Sequence, residues 1–429
     1  MKILIISQEV WRDDKNGGNV LSNIFGNINA EFAQIYCSPG QPSNNICKKY
    51  YQITDSMIIK SILSGSKIGK VINYKDYNNE EKVDLAVNEN KKFYGFFRKY
   101  RFESFLIGKE VLWNISKWNN KELNKFILDF NPDIIFAPCY ASHFMLKLDR
   151  YVGDLTNKPI ISYISDDNYS LKQFRLSPIY WFNRFLLRKN MRNTFKYYKL
   201  TYTMTEEQLL ECQKAFNCNV KILKKGSNVD KYKEKNIGNP INLIYAGGTY
   251  LGRTNTLIKL AKEIKKINKD GIKFKLNIYT GNELSKRQLK ILNDRENSIV
   301  HGLVSQNELT KIYNNGDIAL HIEGFDLKNR LITRISFSTK IIDLLCSSCA
   351  VMAIAWEKHS GYTYLKRNDV AICINNIRNI RGELEKIWRN NKIITEYSKK
   401  AVEFCEKNHK IEEINKMMIE DFNNIMGDK

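Results

Sequence analysis

The stretch from residue 241 to residue 264 constrains the fold of this chain most, because it joins an apolar strand, a glycine turn and an amphipathic helix. INLIYA (241–246) alternates as a buried strand does, and apolar residues then recur at helical spacing through 257–264. Three glycines free the backbone to turn between them: Gly247, Gly248 and Gly252. A helix start behind such a turn presents unpaired N–H groups, and Arg253 adds a planar fork of donors. This combination predicts a cradle for a diphosphate.

A second helix start in the same half of the chain offers a similar surface. SFSTKIIDLL (336–345) places the hydroxyls of Ser338 and Thr339 and the ammonium of Lys340 at the beginning of a predicted helix. Hydroxyls that cap a helix are compatible with holding a phosphate at the same N-terminus. Two anion-holding helix starts in one half of a chain favour a nucleotide-sugar site.

The 429-residue chain exceeds what one hydrophobic core usually supports, so we expect two domains. Strand-like apolar runs alternate with amphipathic stretches along nearly all of it. The clearest runs are 2–7, 133–138, 159–164, 200–204, 241–246, 274–280, 317–322 and 350–355. This alternation predicts the α/β class, with two Rossmann-like, doubly wound parallel-sheet domains.

The strand, glycine and helix theme occurs twice, which indicates where each domain begins. KILIIS (2–7) leads to Gly17 and Gly18, much as INLIYA leads to its own glycines. We predict an N-terminal Rossmann-like domain, a C-terminal Rossmann-like domain and closing helices that pack back toward the first domain. Their boundaries are 1–225, 226–385 and 386–429. Ligands of such folds bind beyond the carboxyl ends of the strands, so we expect the two domains to face a cleft.

The charge of the chain is strongly positive, with 68 Lys and Arg against 46 Asp and Glu, a net charge of +22. Such a balance indicates acidic partners, although a sequence rich in Lys, Asn and Ile often reflects genome base composition instead. Segment 91–109 interleaves six basic with seven aromatic residues, and 172–199 carries eight of each and no acid. Both suit the interface of an anionic membrane. An ordinary helix with one core face and one solvated face is the alternative, and single-stranded nucleic acid ranks behind both.

Cysteine usage and the N-terminus favour a cytoplasmic protein. The nine cysteines show no metal-like spacing, and we interpret Cys346 and Cys349 as small core residues rather than a redox or metal pair. The apolar run of MKILIIS is too short for a signal peptide, and no stretch approaches the ~20 apolar residues of a membrane span. We expect a protein that is cytoplasmic and peripheral on the inner face of the cell membrane.

The order of these motifs resembles the retaining glycosyltransferases of the GT-B architecture, closest to the family 4 group that builds bacterial surface polysaccharides. In the second half the similar segments are, in order, YAGGTYLGR (245–253), NIYTG (277–281), 298–325 and 337–353. The first half is similar more loosely, through its glycine pair, 112–136, YISDDNY (163–169) and 201–230. Residues 55–110 show little similarity.

The resemblance implies transfer of a sugar from a UDP- or GDP-linked donor to a lipid-linked glycan, with retention of configuration. It also implies that Arg253 and Lys340 contact the donor diphosphate. The residues expected beside that diphosphate are Ser338, Thr339, Gly17, Gly18, Gly247 and Gly248. Asp343 falls where many members place a glutamate that binds the ribose hydroxyls. The companion glutamate of that pair would fall near Ile335 and is absent.

Three carboxylates are candidates for catalysis. Asp166 and Asp167 follow a predicted strand at the end that faces the expected cleft, where they are placed to orient or deprotonate the acceptor hydroxyl. Glu323 lies near a strand end in the second half and either contacts the sugar or is a solvated loop residue. No convincing spaced-carboxylate motif for a metal is present, and Arg253 with Lys340 supplies positive charge. We therefore expect no metal and no cofactor beyond the donor.

The expected partners are a nucleotide-sugar donor, a lipid-linked glycan acceptor and an anionic membrane surface, without nucleic acid. Two other functions remain compatible with the sequence. A GT-B relative can epimerise or hydrolyse a nucleotide sugar without an acceptor. A non-catalytic nucleic-acid-binding protein would draw on the positive charge, but it would leave the two glycine turns without a role.

Overall fold

A computed structural model of the protein describes residues 1–13, 16–73, 103–228, 232 and 234–427. The chain forms two compact units. The first unit contains Met1–Leu171, Arg175–Leu223 and Asn415–Lys429, and the second contains Lys172–Phe174 and Lys224–Ile414. Each unit is an α/β structure built on its own parallel or mostly parallel sheet, as the alternation of strands and helices predicts.

The first unit is built on an eight-stranded sheet. Its strands are β1 (Lys2–Ser7), β2 (Glu31–Tyr36), β3 (Lys49–Gln52), β4 (Lys70–Asn73), β5 (Ile134–Pro138), β6 (Ile160–Tyr163), β7 (Tyr198–Thr203) and β8 (Val220–Ile222). The spatial order is β4-β3-β2-β1-β5-β6-β7-β8, and only β3 and β4 pair antiparallel. Ile3 lies opposite Phe32 on one side and Ile134 on the other, so the strand with the most continuous apolar run lies at the centre.

Helices cover this sheet. They are α1 (Asn16–Phe25), α2 (Asp55–Ser64), α3 (Glu103–Ile115), α4 (Lys121–Phe130), α5 (His143–Thr156), α6 (Pro178–Phe195) and α7 (Glu206–Phe216). Several begin at a side-chain cap that the sequence supplies. The hydroxyl of Ser177, for example, accepts from the N–H of Tyr180, and Pro178 occupies the first turn of α6.

The second unit is built on a six-stranded sheet whose pairs are all parallel. Its strands are β9 (Ile241–Ala246), β10 (Phe274–Tyr279), β11 (Ser298–His301), β12 (Ile318–Ile322), β13 (Ala350–Ile354) and β14 (Ile372–Ile374). The spatial order is β11-β10-β9-β12-β13-β14. Leu243 pairs with both Leu276 and Ile318, which places β9 and β12 side by side in the middle of the sheet.

The helices that follow in the chain are α8 (Arg253–Ile267), α9 (Lys286–Leu292), α10 (Gln306–Asn314), α11 (Leu327–Thr333), α12 (Lys340–Leu345), α13 (Ser360–Arg367), α14 (Ile380–Arg389), α15 (Lys392–Asn408) and α16 (Ile411–Gly427). The predicted amphipathic face of α8 is buried, with Leu257, Leu260 and Ile264 in the core of the second unit. From Asn415 onward α16 belongs to the first unit, where Asp421 accepts a hydrogen bond from the Tyr202 hydroxyl (2.7 Å).

All of the apolar runs named in the sequence contain a strand. The sequence does not predict β2, β3, β4, β8, β11 and β14. Five of these strands have only three or four residues and lie at or near the sheet edges. The sixth, β2, is longer, but Gln34 interrupts its apolar run. The structure places Gly17 and Gly18 inside the first turn of α1 rather than in a turn ahead of it. Part of the basic and aromatic segment 91–109, up to residue 102, lies outside the described residues.

The two cysteines of the C-x-x-C pattern differ in their bonding. Cys349 is buried, and its thiol donates to the carbonyl of Tyr313 (3.1 Å), as expected for a core residue. Cys346 forms a disulfide with Cys405 of α15. The interpretation of Cys346 as a simple core residue is therefore wrong, because its partner lies 59 residues later in the chain, where local spacing gives no signal.

Within the part of the chain that the structure describes, no helix is both long and apolar enough to cross a membrane.

Candidate functional site

The parallel sheet of the second unit brings several charged and glycine residues to one edge. β9 and β12 are neighbours and run in the same direction, so the segments that follow them begin side by side. Gly247 follows β9 directly, and Glu323 follows β12. Ligands of doubly wound sheets bind at this carboxyl edge. The site predicted from the glycine turn therefore has a second contributor, Glu323, from the adjacent strand.

The turn between β9 and α8 is compact and closed by internal hydrogen bonds. The Tyr245 hydroxyl donates to the carbonyl of Gly248 (2.6 Å). Gly252 has φ +80°, and a Cβ there would lie 3.1 Å from the Gly324 Cα and 2.8 Å from the Asp326 carboxylate. Both the backbone conformation and the close approach therefore require glycine at this position.

The first N–H groups of α8 are already used within the turn. The N–H groups of Arg253, Thr254 and Asn255 donate to the carbonyls of Tyr250 (3.3 Å), Thr249 (3.1 Å) and Gly252 (3.1 Å). The expectation of a row of unpaired N–H groups at this helix start is therefore wrong, because the tight turn brings its own carbonyls within reach. These three N–H groups are therefore not free to bind an anion.

Arg253 and Glu323 form a two-point ion pair. The Arg253 Nε lies 3.1 Å from Glu323 Oε2, and Nη2 lies 2.7 Å from Oε1. Burial would raise the pKa of the Glu323 carboxyl, but the nearby histidines when protonated, and the charge and hydrogen bonds of Arg253, outweigh burial and hold that pKa below its usual range. Glu323 is 2% exposed, so it is a buried partner of Arg253 and not a solvated loop residue.

Two buried histidines flank Glu323. His359 Nδ1 accepts from the N–H of Gly361 (3.1 Å), which leaves the ring proton on Nε2, 3.9 Å from Glu323 Oε1. Burial lowers the pKa of His321 to about 3 and also lowers the pKa of His359, so both rings are neutral near pH 7. A Cβ on Gly361 would lie 3.2 Å from His321 Nε2, so the backbone of α13 covers this nitrogen.

His321, Glu323 and His359 have the residue types of a metal site, with ligand atoms within 4.8 Å of one another. Their hydrogen bonds do not fit a metal. Arg253 occupies both Glu323 oxygens, and the accepting Nδ1 of His359 is the reverse of a ligating histidine, which normally donates from its second nitrogen. We therefore interpret these residues as the buried support of Arg253.

Lys340 approaches the same glycine turn from α12. A Cβ on Gly247 would lie 3.1 Å from the Lys340 Nζ, so the ammonium rests against this glycine. Loss of surrounding water lowers the pKa of Lys340, and the positive charge of Arg253 lowers it further. Among the described residues, no carboxylate or other acceptor pairs with this ammonium. Arg253, Lys340 and the glycine turn, predicted to share a diphosphate site, therefore lie together.

The other residues predicted near Lys340 have structural contacts. Thr339 is the N-cap of α12, but its hydroxyl makes no capping bond, and the carbonyls of Ser338 and Thr339 accept from Ile341 (2.9 Å) and Ile342 (3.2 Å). Asp343, predicted to bind the ribose, accepts from the Lys225 Nζ at 2.5 Å.

Asp166 and Asp167 lie in the first unit, after β6, as predicted. Asp166 is exposed. The buried Asp167 accepts from the N–H of Ser170 (2.8 Å) and lies 3.6 Å from the Arg184 Nη2. Arg184 also donates to the Asp167 and Ser170 carbonyls, at 2.8 Å and 3.1 Å. These bonds fix the loop that carries both aspartates.

Sequence reasoning missed Lys225, His321 and His359. The alternation of His321 and Glu323 at the end of a strand was a usable signal, since it places two polar side chains on one face of β12. Lys225 and His359 gave none, because each reaches its carboxylate across more than thirty residues of chain.

Comparisons with known proteins define the class of fold. No protein-family model matches the sequence, and no curated protein does either. Solved structures do match: the two units together have the fold of the GT-B glycosyltransferases.

HepE of Anabaena, solved with UDP and glucose, matches with a TM-score of 0.62 at 10% identity, over 99% of this chain and 100% of that one. A TarM structure matches with a TM-score of 0.61 at 12% identity, over 99% and 98% of the two chains. OtsA without ligand matches with a TM-score of 0.59 at 11% identity, over 98% and 99%.

Proposed function

We propose that this protein is a retaining glycosyltransferase that moves a sugar from a UDP- or GDP-linked donor to a lipid-linked glycan. One observation carries the proposal: Lys340 and Arg253 converge on the glycine turn after β9, and Lys340 has no anionic partner among the described residues. Two cations brought together in this way favour a multiply charged anion between them. HepE, which shares the fold, was solved with UDP, and this supports a nucleotide-diphosphate donor.

The chemistry follows from where negative charge develops. When the bond between sugar and diphosphate breaks, the leaving diphosphate gains charge, and fixed donors stabilise it most effectively. Arg253 uses Nε and Nη2 on Glu323, which holds the guanidinium in one orientation. Its Nη1 and the Lys340 ammonium are then available to the phosphate oxygens. A divalent metal is not needed for this step in the proposed mechanism.

The remaining assignments belong to the same proposal. Asp166 orients or deprotonates the acceptor hydroxyl, while the buried Asp167 fixes the loop that carries it through Ser170 and Arg184. Asp343 binds the donor ribose once it separates from Lys225. Transfer to a lipid-linked glycan places the protein in cell-surface polysaccharide synthesis, peripheral on the cytoplasmic face of an anionic membrane. The net charge of +22 supports such a surface.

A thermal-shift experiment with EDTA present tests donor binding. We expect UDP or GDP to raise the Tm, with about 2.7 kcal/mol of stabilisation at a hundredfold excess over Kd, and the corresponding monophosphate to act far more weakly. Lys340→Ala should abolish most of this shift and lower kcat about a hundredfold, because a donor aimed at the leaving group is lost.

Lys269→Ala removes an exposed lysine from the same unit and is the matched control. An unchanged nucleotide shift in Lys340→Ala would refute the site. Release of free sugar or an epimer from the donor, with no transfer to a lipid-linked acceptor, would instead show a nucleotide-sugar hydrolase or epimerase.

A further inference from the structure

The outward face of α6 is apolar although it is exposed. One side of the helix is buried in the first unit through Leu187, Met191 and Phe195. On the other side the exposed fractions are 50% for Ile179, 64% for Phe182, 57% for Phe185 and 44% for Leu186. Residues spaced by three, six and seven positions lie along one face of a helix, so these four side chains form a continuous stripe. Just before the helix, Leu176 is 86% exposed.

The same face becomes basic in the second half of the helix. Lys189, Arg192 and Lys196 are exposed and continue the stripe at helical spacing. No acidic residue occurs anywhere in 172–199. An ordinary solvated helix face would carry polar residues where Ile179, Phe182, Phe185 and Leu186 stand. The face therefore complements a partner in which an apolar region lies next to a negatively charged layer.

The buried side of α6 is complete without a further partner. Arg184 is 6% exposed and donates to the carbonyls of Asp167 and Ser170. The exposed stripe is therefore not the side of α6 that packs in the core of the first unit. Its exposure is a property of the helix as it is anchored in the first unit.

We propose that this face of α6 docks into an anionic lipid bilayer. Leu176, Ile179, Phe182, Phe185 and Leu186 enter below the headgroups, while the basic half of the helix lies against the lipid phosphates. This inference specifies the surface through which the protein would bind the membrane of the proposed function. It rests on the proposed function only for the biological purpose of docking. The helix then lies obliquely, with its N-terminal half deeper.

Other occupants fit the face less well. A second copy related by two-fold symmetry would set the basic half of the stripe either against its own counterpart or against the apolar half of the other copy, and 172–199 offers no acidic residue to compensate. Single-stranded nucleic acid would use aromatic rings for stacking, but it would leave the aliphatic Leu176, Ile179 and Leu186 without favourable contacts.

Vesicle flotation of the full chain tests the proposal. We expect the protein to float with vesicles that contain phosphatidylglycerol and to bind pure phosphatidylcholine vesicles at least about tenfold more weakly. Phe182→Ser combined with Phe185→Ser should weaken binding to the anionic vesicles by about tenfold or more. Leu303→Ser is the matched control, because Leu303 is 83% exposed but lies in the second unit. It should bind as the wild type does.

Failure of the wild type to float with anionic vesicles, or equal binding by the double variant, would overturn the proposal. The proposal would also be overturned if the wild type were a dimer and the double substitution made it a monomer without changing vesicle binding. The face would then bind a second copy of the chain. The nucleotide thermal shift of each variant reports separately on the donor site. Vesicle binding that follows these expectations in a protein that UDP and GDP do not stabilise would refute the proposed function and leave this inference standing.

Discussion

The guanidinium of Arg253 and the carboxylate of Glu323 depend on each other for their burial. The Glu323 side chain is 3% exposed, and its two oxygens accept from two nitrogens of the same arginine. An ion pair in such surroundings loses hydration on both sides, and removal of one member leaves the other charged and buried. Arg253 therefore has a structural role besides its proposed contact with phosphate.

We expect Arg253→Ala to lower the free energy of unfolding by about 3 kcal/mol, because Glu323 loses its cation. Adding Glu323→Gln to this variant should recover part of the loss, because the uncompensated charge disappears. Urea unfolding of the wild type, the single variant and the double variant measures both effects. Equal stability of the single and double variants would show that Glu323 is not left unpaired.

At the scale of elements, the connection from β9 to α8 decides the geometry of the site. The helix begins directly after Leu251 and Gly252, which both have positive φ, at 57° and 80°. Gly324, which follows β12, lies against Gly252. The turn thereby fixes the start of α8 against the neighbouring strand end, and this holds Arg253 beside Glu323.

Gly252→Ala should therefore destabilise the protein by about 1–3 kcal/mol and weaken nucleotide binding, because the added Cβ strains the backbone and meets Gly324. Gly382→Ala is the control: this glycine lies in α14 with open space around it, and alanine favours a helix. Thermal unfolding with and without UDP measures both. An unstrained Gly252→Ala variant, as stable as the wild type, would contradict the argument.

At the scale of the whole molecule, the two units bury titratable groups of opposite kinds. In the first unit Asp149 is buried and accepts from the Tyr198 hydroxyl (2.7 Å), and burial raises the pKa of its carboxyl to about 7. In the second unit burial lowers the pKa of His321 to about 3 and that of His409 to about 4. Near pH 5 the folded state therefore holds both kinds of group mainly neutral.

The stability of the two units should therefore change in opposite directions between pH 7 and pH 5. In the unfolded chain Asp149 ionises with the ordinary pKa of an aspartate, 3.8, so acid favours the folded first unit by about 2 kcal/mol through this group. The unfolded chain protonates His409 below about 6.5, so acid costs the second unit about 2 kcal/mol through this ring.

Urea unfolding followed by proteolysis, with peptides assigned to each unit, resolves the two effects. Asp149→Asn should reduce the acid stabilisation of the first unit, and His409→Asn should reduce the acid sensitivity of the second. Parallel pH dependence of both units in the wild type and in both variants would contradict the assignment.

Much of the fold was predictable, because the periods of apolar residues reflect local backbone geometry. The apolar runs KILIIS and INLIYA predict central strands, and the spacing of apolar residues in α8 predicts a helix with one buried face. The short edge strands β8 and β14 were not predictable, since three residues carry no period. Gly17 and Gly18 suggest a turn in the sequence but lie within α1, because glycine permits many backbone conformations and does not specify one.

The α/β class could be predicted from the amino-acid sequence alone, and Arg253 and Lys340 could be selected from it as the candidate donor-site residues. Strand periodicity, glycine turns and helix starts are local, so each can be read along a short stretch of chain. The side chains that support these two residues could be identified only in the folded structure. Glu323 reaches Arg253 across 70 residues, and Lys225 reaches Asp343 across 118. Arg253 and Glu323 meet because β9 and β12 are parallel neighbours that end at one edge of the sheet, and the order of strands in space is a property of the whole fold.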